Sequence, residues 1–157
     1  MIESPAPQVS TIGSDQDAAL QATLVELIDL SLQTKQAHWN VVGPMFAPVH
    51  AFLDALTGEY RDWYDTVAER LTALGVAPDG RSATVAGSTP LPPLPAGPIE
   101  DGAALAAFDE RVTLVAANVR RRAEALADQD IATQDVLIEI LRGLEKQRWM
   151  LRAHVLR

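Results

Sequence analysis

A proline-rich segment in the middle of the 157-residue chain restricts its fold more than any other feature. Residues 75–100 hold six of the ten prolines, most of them in the run STPLPPLPAGP. Proline has no backbone N–H and a fixed φ, so we expect this segment to be extended and to contain no regular helix. The segments on either side both have helical periodicity. The chain is therefore predicted to form two pairs of helices joined by a long crossover.

The first half of the chain contains two predicted helices. Between residues 20 and 38, apolar and small residues recur every three or four positions, which predicts a long amphipathic helix with His38 on its inward-facing stripe. Ser14 has the right chemistry to cap the start of this helix, and the Gly-Pro pair at 43–44 interrupts it. A second helix is predicted over residues 47–74, because a glycine and then a proline follow it.

The second half repeats this arrangement. Helical periodicity resumes over residues 105–119 and again over 137–151, with a short join near 127–131. Short joins make neighbouring helices antiparallel, whereas a connection of about 25 residues can cross the full length of a bundle. We therefore predict an all-α four-helix bundle with one long crossover between the second and third helices. Residues 14–157 would form this domain, and residues 1–13, which lack periodicity, a flexible tail.

Composition and charge exclude several kinds of protein. The chain has no cysteine, which rules out disulfides and thiolate metal sites. It has no apolar run long enough for a transmembrane helix and no secretory signal at its start, so we expect a cytoplasmic protein. The net charge is −8, and no Lys or Arg precedes Lys35. A basic arm of the kind that binds DNA is therefore absent, and we do not expect DNA binding.

Five residues with metal-binding side chains have spacings that suit one face of a helix. His50 and Asp54 are four residues apart, as are Asp65 and Glu69, and His38 precedes both pairs. Asp54 and Asp65 lie on the same side of the second helix but are separated by a rise of roughly 16 Å. No single metal ion can reach both pairs within one chain. A shared site requires a second copy lying antiparallel, as at a two-fold interface.

The motifs around these residues carry a family resemblance. The runs KQAHWNVVG, VHAFLD and YDTVAER, between residues 35 and 70, are similar to the signature of the Dps family, the DNA-protection-during-starvation proteins or miniferritins. The crossover run TPLPPLP and the stretch around Trp149 also resemble that family. The resemblance implies a ferritin-like bundle and a hollow shell of twelve identical subunits built from two-fold dimers.

The resemblance also implies an enzymatic function, that of a ferroxidase. Each di-iron centre at a dimer interface would take His38, His50 and Asp54 from one subunit, and Asp65 and Glu69 from the other. Imidazole and carboxylate ligands suit iron. The substrates would be Fe²⁺ and hydrogen peroxide, which relatives prefer to oxygen, and ferric mineral would collect in the cavity. Such a protein stores iron and protects against oxidative damage.

Each residue of this set also has a simpler interpretation. Taken alone, His38 is better explained as a hydrogen-bonded core histidine, and Asp65 and Glu69 as a solvated helix face. The joint pattern of five ligands favours metal binding. Lys35 lies one turn before His38, so it could pair with a ligand carboxylate or form an ordinary surface or interface ion pair.

Aromatic and acidic residues outside the ligand set have two interpretations as well. Trp39 and Trp149 could intercept stray oxidising equivalents near the centre, or simply pack as large side chains. Asp128, Asp130 and Asp135 surround the last join, where relatives have acidic three-fold pores for Fe²⁺ entry. Aspartate at a helix start is also a routine cap. Two further acids of the second helix could face the cavity and nucleate mineral, and their orientation stays open: Glu59 and Asp62.

Two other functions compete with iron oxidation. A nucleoid protein that binds and compacts DNA would use shielding as its main role, but the acidic charge opposes it. The one dense basic run, Arg120–Arg122, lies in a predicted helix, so its side chains should diverge and form salt bridges with neighbouring subunits or meet solvent. A di-iron oxygenase within one subunit usually needs two Glu-x-x-His motifs, and the sequence has none.

Overall fold

The computed structural model describes residues 14–155 and consists mainly of helices. The predicted tail at 1–13 lies outside the described residues. Along the chain, the elements are α1 (Asp15–Asn40), β1 (Val41–Val42), α2 (Phe46–Ala73), α3 (Ser82–Ser88), β2 (Ile99–Glu100), α4 (Asp101–Ala125) and α5 (Ile131–Val155). Within the described range, no helix is both long and apolar enough to cross a membrane.

Four long helices form the predicted bundle with its single crossover. Helix α1 packs along α2, and α4 packs along α5. Their apolar stripes meet in one core, as the helical periodicity predicted. The largest fully buried side chains of this core are Tyr60, Phe108, Leu20, Leu27, Leu30, Leu53, Leu56, Leu71, Leu126, Leu137, Ile140 and Leu144. The long helices therefore owe their stability chiefly to the burial of these stripes.

Helix α1 begins with the predicted cap. The Asp17 backbone N–H donates to Ser14 Oγ at 3.1 Å, and the Ser14 backbone N–H donates back to Asp17 Oδ2 at 3.1 Å. This reciprocal pair is a capping box, which satisfies two backbone donors that the first helical turn leaves free. The helix ends at Asn40 because Val41 adopts an extended backbone conformation.

The expectation for the crossover was wrong in one part. Residues 82–88 form the short helix α3, although we expected no regular helix between residues 75 and 100. This stretch lies between Pro78 and Pro90 and contains no proline, so the steric bar to a helix does not apply there. The proline-dense residues 89–98 are not helical, as expected.

The crossover ends in contacts that the periodicity does not predict. Strands β1 and β2 pair in parallel, with Val41 opposite Ile99 and Val42 opposite Glu100. The buried Arg111 guanidinium donates to the Pro92 carbonyl at 3.0 Å and to the Pro93 carbonyl at 3.2 Å. Burial lowers the pKa of Arg111 from its usual value. These contacts hold the prolines against the bundle.

The arginine run at 120–122 finds its partners within the chain. The three side chains diverge as expected, and Arg120 and Arg121 are exposed to solvent, which is one of the two expectations for this run. Arg120 pairs with Glu145 on α5. Arg122 makes two hydrogen bonds to the buried Glu26 carboxylate, at 2.8 and 2.7 Å. A buried pair of this kind strongly destabilises a protein when only one partner is removed.

Asp130 caps the start of α5. Its Oδ1 accepts hydrogen bonds from the backbone N–H groups of Ala132 and Thr133, at 3.0 and 3.2 Å. Its Oδ2 accepts from the Thr133 hydroxyl at 2.7 Å and from Arg70 Nη2 at 2.6 Å. These contacts, with the Thr133 hydroxyl bond the largest cause, hold the pKa of the Asp130 carboxyl well below its ordinary value. The capping interpretation thus describes Asp130 in this structure.

We predict that Asp130→Ala lowers the free energy of unfolding at pH 7 by about 0.5–2 kcal/mol. Because the folded pKa is depressed, this stabilisation is present above the unfolded pKa of about 3.9 and is lost as pH falls toward the folded value. The difference between the two proteins should therefore shrink below about pH 4. Urea denaturation at equal protein concentration measures it. The exposed Asp128→Ala variant is the control, and equal stability of all three proteins at pH 7 would contradict the cap.

Candidate metal centre

Two histidines stack where α1 and α2 meet. His38 lies near the end of α1 and His50 lies in the second turn of α2, and their ring centroids are 3.7 Å apart. His38 Nδ1 is 2.8 Å from the His50 carbonyl oxygen, and His50 Nδ1 is 2.8 Å from the His38 carbonyl oxygen. A carbonyl oxygen only accepts hydrogen bonds, so each Nδ1 carries the proton and donates. With Nδ1 protonated, the neutral form of each ring has its lone pair on Nε2, the atom that a metal ion would bind.

The surroundings of the pair limit its movement. His38 is buried, with 9% of its surface exposed, and it lies on the inward stripe as predicted. His50 is half-buried, and the Phe46 ring lies 5.0 Å from it. Phe46 was not singled out from the sequence. Its position one turn before His50 was the available signal.

Asp54 extends this cluster by one turn of α2. It is exposed, and Lys35 forms an ion pair with it, so Lys35 contacts a carboxylate of the candidate set through an ion pair at the surface. The hydrogen bond from Lys35 is the largest cause of a lowered Asp54 pKa, and the charges of Lys35 and the two histidines act in the same direction. The carboxylate is therefore ionised, and a lysine ammonium neutralises it.

Asp65 and Glu69 lie farther along the same helix. Both are exposed and stand one turn apart on α2. The helical rise places Asp65, the nearer of the two, roughly 16 Å from Asp54. Among the described residues, no group of three or more His, Asp or Glu side chains is arranged to hold one metal ion. The histidine set and the acidic set are thus two separate parts within one chain.

The two tryptophans do not pack inside the chain. Trp39 and Trp149 are each 68% exposed. Trp39 follows His38 directly, whereas Trp149 lines a surface groove of α5 with Arg148 and Arg152. A third tryptophan, Trp63, packs edge-on against Tyr60 at 5.8 Å. A packing role for Trp39 or Trp149 would need a partner surface.

The remaining acidic residues differ in exposure and in whether hydrogen bonds occupy their carboxylates. Asp128 and Asp135 are exposed beside the last join, whereas the Asp130 oxygens are occupied by the cap described above. Glu59 is exposed and accepts a hydrogen bond from Gln147 Nε2 at 2.8 Å. Asp62 is exposed.

The donor set suits a hard to borderline transition-metal ion. The histidine set has two imidazoles and one carboxylate, and the acidic set adds two carboxylates. Imidazole binds iron and zinc well, and carboxylates favour harder ions, so the mixture is suited to iron. With three donors in the histidine set and two in the acidic set, a bound ion would keep coordination positions open for a reactant.

Comparisons with known proteins agree with this geometry. The ferritin-like domain family matches residues 17–157. The fine tangled pili major subunit of Haemophilus ducreyi is 39% identical over 137 residues, which cover 87% of this chain and 72% of that protein. The DNA protection during starvation protein of Agrobacterium fabrum is 38% identical over 140 residues, covering 87% and 85%.

A solved structure has the same fold over most of its length. The crystal structure of Dps92 from Deinococcus radiodurans matches with a TM-score of 0.87 and 34% identity, covering 88% of this chain and 84% of that one. On these grounds, the chain belongs to the Dps family of ferritin-like proteins.

Proposed function

We propose that this protein is a ferroxidase that oxidises Fe²⁺ at centres shared between two subunits and stores the ferric product in a hollow shell of twelve copies. Membership of a family of iron-storage and DNA-protection proteins supports an iron-linked role in general. The observation that carries the specific proposal is the stacked His38–His50 pair. Both rings have their Nδ1 protons engaged by carbonyl oxygens, which leaves Nε2 available to a cation.

The acidic set completes this centre only from another copy. A two-fold axis beside α2 would place a second α2 antiparallel to the first. The histidine set of one copy would then face Asp65 and Glu69 of the other, and the same contact would recur on the opposite side of the axis. Each dimer would hold two equivalent centres.

Two ferrous ions held together reduce peroxide without releasing a radical. Each Fe²⁺ gives one electron, the O–O bond breaks, and the two oxygens leave as two waters after taking up two protons. A lone Fe²⁺ supplies only one electron, so it produces hydroxide and a hydroxyl radical. The paired arrangement thus detoxifies peroxide while it oxidises iron. Ferric ions then hydrolyse, and we propose that they accumulate as mineral in the cavity.

Lys35 would compete with the cation for Asp54. The lysine ammonium is paired with this carboxylate, so an incoming Fe²⁺ has to displace it.

Asp128 and Asp135 are exposed where an acidic pore could draw cations toward the cavity, and they fit this role better than Asp130. We also propose that Trp39, which is next to His38 and exposed, intercepts oxidising equivalents. We further propose that the shell functions in the cytoplasm.

DNA shielding is the second candidate function. The name of the Agrobacterium fabrum relative, DNA protection during starvation protein, favours it. Protection by removal of iron and peroxide needs no contact with DNA. The net charge of −8 opposes binding to a phosphate backbone.

We predict that Asp65→Ala/Glu69→Ala slows peroxide-dependent Fe²⁺ oxidation by about 100-fold or more, since loss of a residue that only orients a ligand already costs 10–100-fold in affinity. Each chain should fold normally because both residues lie outside its core, and the mass of the shell is measured alongside the rate. Stopped-flow absorbance of the ferric product measures the rate, with Asp62→Ala, an exposed acid of the same helix, as the control. Rapid oxidation by the double variant would refute the assignment.

A mixing experiment tests whether two chains share each centre. His38→Ala should also be inactive, but its acidic set is intact, whereas the double variant keeps its histidine set. When the two are unfolded together and reassembled at equal amounts, about one centre in four should combine both intact sets, by random pairing at a two-fold interface. Recovery of about a quarter of the wild-type rate is therefore expected. A mixture as inactive as its components would argue against shared centres.

We predict that Lys35→Gln tightens binding of Fe²⁺ at the histidine set by about two- to five-fold, the usual scale of an exposed ion pair. The physical reason is that the cation no longer has to displace an ammonium group from Asp54. Anaerobic titration calorimetry measures the affinity, with the exposed Lys146→Gln as the control. Unchanged or weaker binding by Lys35→Gln would show that Lys35 does not compete.

Gel retardation separates the two candidate functions. At low salt, where electrostatic binding is strongest, we expect no retardation of plasmid DNA by the assembled protein. The measurement should include a basic DNA-binding protein as a positive control. Strong retardation that weakens with added salt would favour the shielding function.

A further inference from the structure

The connection between the two histidines contacts the start of α4. Residues 41–45 link α1 to α2 and so join the helix that carries His38 to the helix that carries His50. Asp101, the first residue of α4, lies beside this connection. Its Oδ2 accepts a hydrogen bond from the Met45 backbone N–H at 2.6 Å. Its Oδ1 accepts one from the Gly102 backbone N–H at 2.7 Å. The carboxylate therefore ties the connection to α4.

The same carboxylate packs against Gly43. The glycine has φ +130°, a backbone conformation that other residues rarely adopt. A Cβ atom at this position would lie only 2.3 Å from Asp101 Oδ2. Glycine is thus required both by the backbone and by the close approach of the carboxylate. The parallel pairing of β1 with β2 fixes the connection from the neighbouring residues.

Asp101 substitutes for a missing local cap. Met45 is the N-cap residue of α2, and its own side chain makes no capping hydrogen bond. A carboxylate at a helix N-terminus is favourable because the helix dipole is positive there. Asp101 provides this charge from another helix and fixes the point at which α2 begins.

The start of α2 determines where His50 lies. His50 is one turn beyond Phe46, and the two rings are 5.0 Å apart. The His50 backbone carbonyl accepts the hydrogen bond from His38, and its ring donates to the His38 carbonyl. A displacement of the first turn of α2 would therefore disturb both bonds at once. We propose, on the basis of the function proposed above, that Asp101 is a positioning residue that holds the two histidines in their metal-binding arrangement.

Cobalt binding distinguishes positioning from general stabilisation. Co²⁺ alone is the probe, because its visible absorption spectrum reports the geometry of its ligands, and its affinity can be titrated without turnover. The proteins are the wild type, Asp101→Ala, Asp101→Asn and Glu100→Gln, each checked for shell mass. Asn retains one oxygen acceptor for the Met45 N–H. Glu100 is the adjacent carboxylate, is exposed, and makes no side-chain cap bond.

We expect Asp101→Ala to bind Co²⁺ about 10-fold or more weakly, as for other residues that orient ligands. Its spectrum should differ from that of the wild type. Asp101→Asn should recover part of both properties, and Glu100→Gln should match the wild type. If Asp101→Ala does not assemble, Asp101→Asn decides the question by the same two readouts.

If an Asp101 variant assembles and binds Co²⁺ with the affinity and the spectrum of the wild type, the inference is wrong, even if that variant is less stable. An equal effect of Glu100→Gln would overturn it as well, because the effect would then not be specific to Asp101. The proposed function has a separate check, which is the loss of the Co²⁺ spectrum in His38→Ala. If that variant binds Co²⁺ as the wild type does, the metal centre itself is wrongly assigned.

Discussion

The reciprocal hydrogen bonds between His38 and His50 are the constraint on which the site depends. Each imidazole donates its Nδ1 proton to the backbone carbonyl of the other residue. Because both donors and both acceptors belong to the same two residues, neither ring can turn without breaking a bond to the other. The tautomer of each ring and the direction of each Nε2 follow from this arrangement. The bundle therefore has to bring the end of α1 and the start of α2 close enough for these two hydrogen bonds to form.

Charge is balanced differently in the core and at the site. In the bundle, Glu26 is buried and held by Arg122, and such a pair is costly to break because one charge would be left without a partner. At the site, Asp54 is exposed and its partner Lys35 is only partly buried, so water and another cation can replace the ammonium at little cost. The core pair therefore fixes the packing of α1 on α4. The site pair keeps the carboxylate ionised and accessible.

Local patterns predicted most of the fold. The four long helices follow from periodicity, and the Ser14 cap from its side-chain chemistry, because both depend on residues a few positions apart. Helix α3 is not predicted by these patterns because it lies between prolines, in a segment whose overall proline content disfavours a helix. The β1–β2 pairing joins residues almost sixty positions apart over only two residues, too few for a periodic signal. The partners of Arg120 and Arg122 also depend on tertiary packing that the sequence does not display.

Spacing predicted which residues of the candidate site share a helix face, but not how they are held. The four-residue steps placed His50 with Asp54, and Asp65 with Glu69, and helical rise alone separated the two sets. The ring-to-carbonyl bonds and the Asp101 contact involve backbone atoms of distant residues, which side-chain patterns do not reveal.

The separation of the two sets along a straight helix has a chemical consequence. A rigid helix cannot bend through the roughly 16 Å between them, so a single chain presents each set to water as an incomplete site. An incomplete set binds a cation weakly and holds at most one, which is the arrangement that would generate radicals from peroxide. If the second set comes from another copy, the paired centre forms only where subunits have docked. Oxidation would then occur beside the cavity that receives the product. The rigid helix keeps the two sets apart within one chain. Across a two-fold interface, the same rigidity would hold the histidine set of one copy opposite the acidic set of the other.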